Sequence, residues 1–134
     1  MVVKKITYTD YDGNERTESF YFNLNEAEIT EMQYEQAGGL KAWLEKISEE
    51  KNTVEIMKEF KKIILRAYGE KSADGKRLVK GEEISKAFTQ TEAWNQLFLE
   101  FINGGDKAMF EFINGILPAN WAEKAQNPSI NPGA

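Results

Sequence analysis

The stretch Gly69-Glu70-Lys71-Ser72 places a lysine and a serine after a glycine, a combination found in loops that bind phosphate groups. Such a loop needs two glycines at fixed spacing after a buried strand. Its Lys-Ser pair also opens a helix, so that free N–H groups face the phosphate. Here the stretch follows a segment with helical periodicity. We therefore expect no nucleotide site at this position.

Oxygen-bearing side chains surround a glycine in residues 10–15, Asp-Tyr-Asp-Gly-Asn-Glu, which faintly resembles a calcium loop. The EF-hand loop needs its glycine at the sixth position and a glutamate at the twelfth, between two helices. The spacing here is different, and both flanking segments alternate like strands. A hairpin turn accounts for all of these residues.

The chain contains no histidine and no cysteine. This excludes Ser-His-Asp, Cys-His and HExxH sites, zinc-thiolate sites and iron-sulfur clusters. A pair of carboxylates from distant segments remains open as a glycosidase-like site. The adjacent pairs Glu49-Glu50 and Glu82-Glu83 are explained by solvated charge near helix ends. We predict a protein that is not an enzyme and has no catalytic residue, cofactor or metal.

Eight basic and three acidic residues lie in segment 58–80, which therefore carries +5, and the rest of the chain carries −10 because the net charge is −5. A solvated helix face followed by a polar loop is the usual explanation. The functional alternative is a docking surface for an acidic partner or for an acidic patch on another copy of the chain. Nucleic acid is a third possibility, although no exposed aromatic residue is evident there for base stacking. The candidate partner-binding residues are Lys61, Lys62, Arg66, Lys71, Lys76, Arg77 and Lys80, together with Trp121 nearer the C-terminus.

Two strands with an Asp-Gly turn between them are predicted near the N-terminus. Residues 3–8 and 17–24 alternate between apolar and polar side chains, and Asp12-Gly13 tolerates the φ angles of a tight turn. An isolated hairpin is only marginally stable in water, so its aromatic face needs a cover. We expect the helices that follow to provide it.

Helix starts are predicted at Asn25 and Asn52, because each asparagine is followed three residues later by a glutamate. Gly38-Gly39 separates the first helix from the second. The third has a wide apolar band over residues 56–68 and is predicted to be central. We expect it to end at Gly69, and a loop over residues 70–81 to precede a helix over residues 82–88.

The sequence Phe-Ile-Asn-Gly occurs twice, at residues 101–104 and 112–115. We interpret both copies as helix ends, in which Phe-Ile supplies the last buried turn and Asn-Gly the left-handed exit. In the second copy, a slight extension of the helix through Ile116 and Leu117 is the alternative. Two copies are too few for a repeat fold. The apolar faces predicted for these two helices are Trp94, Leu97, Phe98, Phe101 and Ile102 in one, and Met109, Phe110, Ile113, Ile116 and Leu117 in the other.

The whole pattern predicts an α+β fold, with an N-terminal antiparallel β-hairpin packed on a mainly helical domain of about five or six helices. We expect a single domain over residues 1–118 and a flexible C-terminal tail over residues 119–134, where periodicity is lost. Trp121 either folds back onto the domain or stays exposed until a partner binds it. No apolar run has the length of a membrane helix and no signal peptide is evident, so we expect a cytoplasmic protein with no membrane partner.

Several stretches in order resemble the tail assembly chaperones of long-tailed bacteriophages and prophages of Gram-positive bacteria. Residues 68–77, Tyr-Gly-Glu-Lys-Ser-Ala-Asp-Gly-Lys-Arg, are followed by Lys80. The other matching stretches are residues 5–10, 20–24, 89–93 and 112–118. The resemblance covers about residues 3–118. The sequence departs from the family at Trp94, where a tyrosine is expected, and at residues 101–104, where an Ala- and Asp-rich turn is more usual.

The resemblance implies a non-catalytic assembly factor of the bacterial host cytoplasm that is absent from the mature virion. It further implies that such a protein coats the long tape measure protein, helps bring tail tube proteins to it, and is also made in a longer, frameshifted form. Self-association is compatible with the segregated charge. The alternative is a small nucleic-acid-binding regulatory protein that uses the basic segment 58–80, through Lys61, Lys62, Arg66, Lys76 and Arg77. An enzyme that uses carboxylates is a third hypothesis.

Overall fold

A computed structural model describes residues 1–119 and Trp121. Its elements are β1 (Val2–Thr9), β2 (Glu15–Phe22), α1 (Glu26–Glu35), α2 (Gly39–Glu49), α3 (Thr53–Ala67), β3 (Tyr68–Lys71), β4 (Leu78–Val79), α4 (Glu82–Thr89) and α5 (Glu92–Ile116). The predicted α+β class, with an antiparallel N-terminal strand pair and five helices, is confirmed. Apart from Ala119 and Trp121, the predicted tail lies outside the described residues.

Strands β1 and β2 pair along their full length, from Val2↔Phe22 to Thr9↔Glu15. The Asp10 carboxylate closes the turn by accepting hydrogen bonds from the backbone N–H groups of Asp12 and Asn14, each at 2.9 Å. Gly13 supplies a φ of 84°. The predicted Asp-Gly hairpin is therefore confirmed, and the Asp10 carboxylate serves to close its turn.

The sheet has four strands in the order β1-β2-β3-β4, which corrects the loop predicted for residues 70–81. Strand β3 pairs with β2 at Tyr21↔Gly69, and β4 pairs with β3 at Lys71↔Leu78. These strands have only four and two residues, too few for alternation to be recognised. Gly69 does not end α3, since Ala67 does. An added Cβ at Gly69 would lie 2.5 Å from Leu78 Cγ, so the glycine allows Leu78 to pack across it.

Both predicted asparagine caps are present. The Asn25 side chain accepts a hydrogen bond from the Glu28 N–H at 2.9 Å, and the Glu28 carboxylate accepts one from the Asn25 N–H at 3.0 Å. The Asn52 side chain accepts from Val54 and Glu55 at the start of α3. These caps satisfy the free donors of each first turn.

Helix α3 lies at the centre of the core, as predicted, with Phe60, Ile63, Ile64 and Ala67 buried. Ile102 and Phe110 were also predicted to lie on buried faces, and this is wrong. Their exposed fractions are 47% and 55%.

Candidate partner-binding surface

Helix α5 bends sharply at Gly105, where φ is 66° and ψ is −156°. A straight helix would hold Phe101 and Phe112 about 16 Å apart along its axis. Their ring centroids instead lie 5.0 Å apart. The bend divides α5 into a first half, residues 92–104, and a second half, residues 106–116.

The two Phe-Ile-Asn-Gly copies are therefore not two equivalent helix exits. The left-handed residue follows the first copy, at Gly105, and Asn114 and Gly115 of the second copy remain helical. An added Cβ at Gly115 would lie 2.6 Å from Val2 Cγ2. This glycine thus allows β1 to approach α5 closely, and the predicted left-handed exit at the second copy is wrong.

Both phenylalanines of the repeat pack on α3. The Phe60 ring lies 5.0 Å from that of Phe101 and 6.0 Å from that of Phe112, nearly perpendicular to both. Edge-to-face contacts of this kind contribute beyond simple burial. The aromatic cluster holds the two halves of α5 at a fixed angle.

A groove of about 220 Å³ opens between β1 and the two halves of α5. Its lining residues are Val2, Lys4, Glu100, Phe101, Ala108, Glu111 and Phe112. The Lys4 ammonium lies 3.4 Å from a Glu100 carboxylate oxygen and 5.7 Å from the centre of the Phe101 ring. Glu111 forms no ion pair within residues 1–119. The lining is thus an apolar floor with one uncompensated carboxylate at its wall.

Helix α5 also carries three exposed apolar side chains outside the groove lining. Leu99, Ile102 and Phe110 are 47%, 47% and 55% exposed, and all three lie on α5. Each is the chain neighbour of a lining residue, so its side chain points about 100° away from that residue around the helix axis. Clustered exposed apolar groups mark interaction sites. We call the groove together with Leu99, Ile102 and Phe110 the groove surface.

The groove surface was not predicted from the sequence. Each half of α5 was predicted as a regular helix with one buried apolar face, and Ile102 and Phe110 were assigned to those faces. Leu99 lies off the buried stripe of Trp94, Leu97 and Phe101, and that is the one signal in the pattern that could have identified it. Neither Ile102 nor Phe110 carried such a signal.

Three of the predicted partner-binding cations instead bind carboxylates of their own chain. Lys62 lies 3.2 Å from Glu59, and Lys80 lies 2.6 Å from Glu28 while also donating to the Asn23 carbonyl. The Arg66 guanidinium makes two contacts of 2.7 Å with Glu35. That hydrogen bonding lowers the pKa of the Glu35 carboxyl. Arg66 and Lys80 thus fasten α1 to the rest of the fold.

The remaining four predicted partner-binding cations lie beside aromatic rings or in an exposed turn. The ammonium of Lys61 lies 5.8 Å from the centre of the Trp94 ring, and that of Lys71 lies 4.9 Å from that of Tyr21. Lys76 and Arg77 are exposed in the turn between β3 and β4. The predicted basic surface is therefore divided between α3 and the second hairpin.

Trp121 is half-buried and packs against the core. Its backbone N–H donates to the Pro118 carbonyl at 3.1 Å. Trp121 therefore folds back onto the domain, which is one of the two arrangements predicted for it.

Two further side chains, Glu59 and Tyr68, have shifted pKa values. The Trp43 indole N–H donates to Glu59 at 2.8 Å and lowers the pKa of that carboxyl, and Lys62 adds to the effect. Burial raises the pKa of Tyr68 to about 12. Within the described part of the chain, no group of three His, Cys, Asp or Glu residues is placed to hold a metal ion. None of the helices in residues 1–119 is long and apolar enough to cross a bilayer.

A family model described as phage tail assembly chaperone matches residues 1–131. This range contains every helix and strand of the fold and the whole groove surface. No curated protein and no solved structure matches the chain significantly.

Proposed function

The chain belongs to the phage tail assembly chaperone family, and from this premise we propose that it binds the tape measure protein and assists assembly of the tail tube in the host cytoplasm. The observation that carries the proposal is the family match over residues 1–131. The protein acts by binding and performs no chemical transformation. Self-association on the tape measure protein is part of the same proposal.

The groove surface suits a chaperone for a long chain with exposed apolar segments. Each of Leu99, Ile102 and Phe110 has about half of its side chain exposed. Burying what remains contributes about 1 kcal/mol per residue. One copy then binds weakly, and many copies along one client bind well together. Weak individual contacts also allow release before the virion is complete.

The exposed cations of the second hairpin form a second proposed contact, for the tail tube protein. The side-chain cations of Lys76 and Arg77 form no ion pair within the described residues. The nucleic-acid alternative relies on these two together with Lys61, Lys62 and Arg66. Since Lys62 and Arg66 are already paired with carboxylates, no structural observation favours that alternative.

The test is co-expression of this chain with the tape measure protein of the same phage. We expect the soluble fraction of the tape measure protein to rise several-fold, and the triple variant Leu99→Ser, Ile102→Ser, Phe110→Ser to lose most of this effect. The matched control is Val54→Ser on α3, where the side chain is 71% exposed. Equal solubility with and without the chain would refute the proposed function.

A further inference from the structure

We propose that the outer edge of β1 pairs antiparallel with β1 of a second copy of the chain, so that Lys5 of each copy lies opposite Thr7 of the other. The inference rests on the self-association that is part of the proposed function, and it gives that association an interface. The pairing needs no client protein, so the purified chain can show it.

Strand β1 forms one edge of the sheet, whose order is β1-β2-β3-β4. The backbone N–H of Asp10 donates to the Asn14 carbonyl at 2.8 Å, and hydrogen-bonded pairs alternate with non-bonded pairs along an antiparallel ladder. In the register of β1 and β2, the N–H and C=O groups of every second residue of β1 therefore point away from β2. We call these the edge residues, and they are Val3, Lys5, Thr7 and Thr9.

The outer edge of β1 is open to solvent. All four edge residues are exposed. Within residues 1–119, none of them makes a backbone hydrogen bond to another segment. Helix α5 packs against the alternate side chains of β1 instead, where Val2 lies against Gly115 and Lys4 contacts Glu100. The edge thus offers a row of backbone donors and acceptors to a further strand.

The two edges of the sheet differ in their protection against pairing. Strand β4, at the other edge, has only two residues. Strand β1 has eight residues without proline or glycine, and its pairing with β2 contains no bulge. Very short strands, prolines and bulges are the usual means by which proteins protect a sheet edge. Pairing of β1 with a second β1 is therefore favoured over pairing of β1 with β4, and it closes as a two-fold dimer.

The charge of Lys5 selects the register. Lys5 is the only charged edge residue, and like charges directly opposite each other destabilise a strand pair. Placing Lys5 opposite Thr7 keeps the two lysines from facing each other. The same register sets Val3 opposite Thr9, so all four edge residues of each copy are paired. Any other antiparallel register leaves edge residues of both copies without a partner.

Disulfide cross-linking tests this register. The chain contains no cysteine, so an introduced pair reports only the new contact. Val3→Cys and Thr9→Cys are purified separately, mixed and oxidised. Directly opposite residues in a hydrogen-bonded pair have Cα atoms about 5.5 Å apart, which a disulfide can span. We expect the mixture to form covalent dimers at least about fivefold faster than either variant alone.

The controls exclude random collision and a shifted register. In either variant alone, the two cysteines of the dimer lie about 20 Å apart, at opposite ends of the paired strands. A mixture of Val3→Cys with Thr7→Cys is one pair out of register and should cross-link poorly, because diagonal residues lie about 7–8 Å apart. Equal rates in all of these samples would overturn the proposed pairing, and faster cross-linking of the Thr7→Cys mixture would overturn its register.

A proline at the edge tests the backbone contact. Thr7→Pro removes an outward N–H and leaves the pairing with β2 intact, since proline is tolerated where an edge N–H faces solvent. It should weaken dimerisation at least about tenfold in sedimentation equilibrium. The control Thr7→Val keeps the N–H, and both variants lose the 2.9 Å contact of Thr7 with the Thr17 hydroxyl. Circular dichroism confirms that both fold, and equal dimerisation of the two would overturn the proposal.

Amide hydrogen exchange identifies the occupant of the edge. In the purified chain, the edge amides should become protected as the protein concentration rises. If the purified chain stays monomeric and these amides are protected only when the tape measure protein is bound, the occupant is a client strand. The inference then fails and the proposed function stands. If the cross-linked dimer is found but the tape measure protein stays insoluble, the proposed function fails instead.

Discussion

The rings of Phe101 and Phe112 meet edge to face within one bent helix, with centroids 5.0 Å apart and planes at 69°. Each phenylalanine opens one copy of Phe-Ile-Asn-Gly. The repeat thus places two equivalent aromatic side chains against each other and against Phe60. The same bend forms the groove, because both rings also line its floor.

Removing the Phe112 ring should destabilise the fold strongly. Phe112 is 4% exposed and contacts the rings of Phe22, Phe60 and Phe101. Phe112→Ala should lower the free energy of unfolding by about 3–5 kcal/mol. Phe110→Ala, two positions away and 55% exposed, should change it by less than about 1 kcal/mol. Urea denaturation followed by tryptophan fluorescence measures both, and similar losses would contradict the assignment of faces around the bend.

Gly105→Ala should destabilise the protein through backbone strain alone. The residue has φ 66° and ψ −156°, a region that is essentially restricted to glycine. Apart from its chain neighbours and the adjacent backbone of the helix, no atom lies within 4 Å of the position of an added Cβ, so contact with other parts of the fold adds nothing. The expected cost is about 1–3 kcal/mol. Asn103→Ala, in the exposed helical turn just before the bend, is the control, and an equal effect of both would show that the bend does not need glycine.

Lys80→Ala should cost more than Lys76→Ala, although both were candidates for partner binding. Lys80 joins the Asn23 carbonyl to the Glu28 carboxylate across the start of α1, and charged hydrogen bonds of this kind contribute about 1.5–3 kcal/mol. Lys76 is exposed in a turn, and its loss should cost less than about 0.5 kcal/mol. Thermal unfolding distinguishes the two. If Lys80→Ala unfolds at the same temperature as the unsubstituted protein, the contacts of Lys80 do not stabilise the fold. Its side chain is then available for a partner.

Features that depend on neighbours in the chain were predictable, and features that depend on distant segments were not. The caps at Asn25 and Asn52 and the Asp12-Gly13 turn involve contacts over a few residues, so the sequence pattern contains them. Strand β3 exists because Tyr68 meets Phe22 across the fold. No local pattern in so short a strand records that pairing.

The candidate site illustrates the same limit. Its floor joins Val2, Phe101 and Phe112, which come from a strand and from both halves of a bent helix. Gly105 is recognisable as a helix breaker, but its ψ angle decides how far the second half rotates. Ile102 and Phe110 were therefore assigned to buried faces that only a different bend would produce. The paired cations, such as Lys80 with Glu28, likewise depend on contacts between distant segments.

The hydrogen bond from Trp43 to Glu59 should make stability depend on pH in the acid range. The pKa of Glu59 is lowered in the folded protein, first by the indole N–H and then by Lys62. A carboxyl with a lowered folded pKa stabilises the fold above its unfolded pKa, and this contribution is lost as the pH falls through the folded value. The free energy of unfolding should thus be level near neutral pH and decrease below about pH 4.5.

Glu59→Gln should reduce stability at neutral pH and flatten this decrease, because the glutamine side chain has no charge to lose. The curves of the variant and the unsubstituted protein should converge at the acid end, where both side chains are neutral. Trp43→Phe removes the donor of the same hydrogen bond and should also reduce the slope of the unfolding free energy against pH. Urea midpoints measured from pH 3 to pH 7 test this, and parallel curves at every pH would show that Glu59 takes no part in the acid transition.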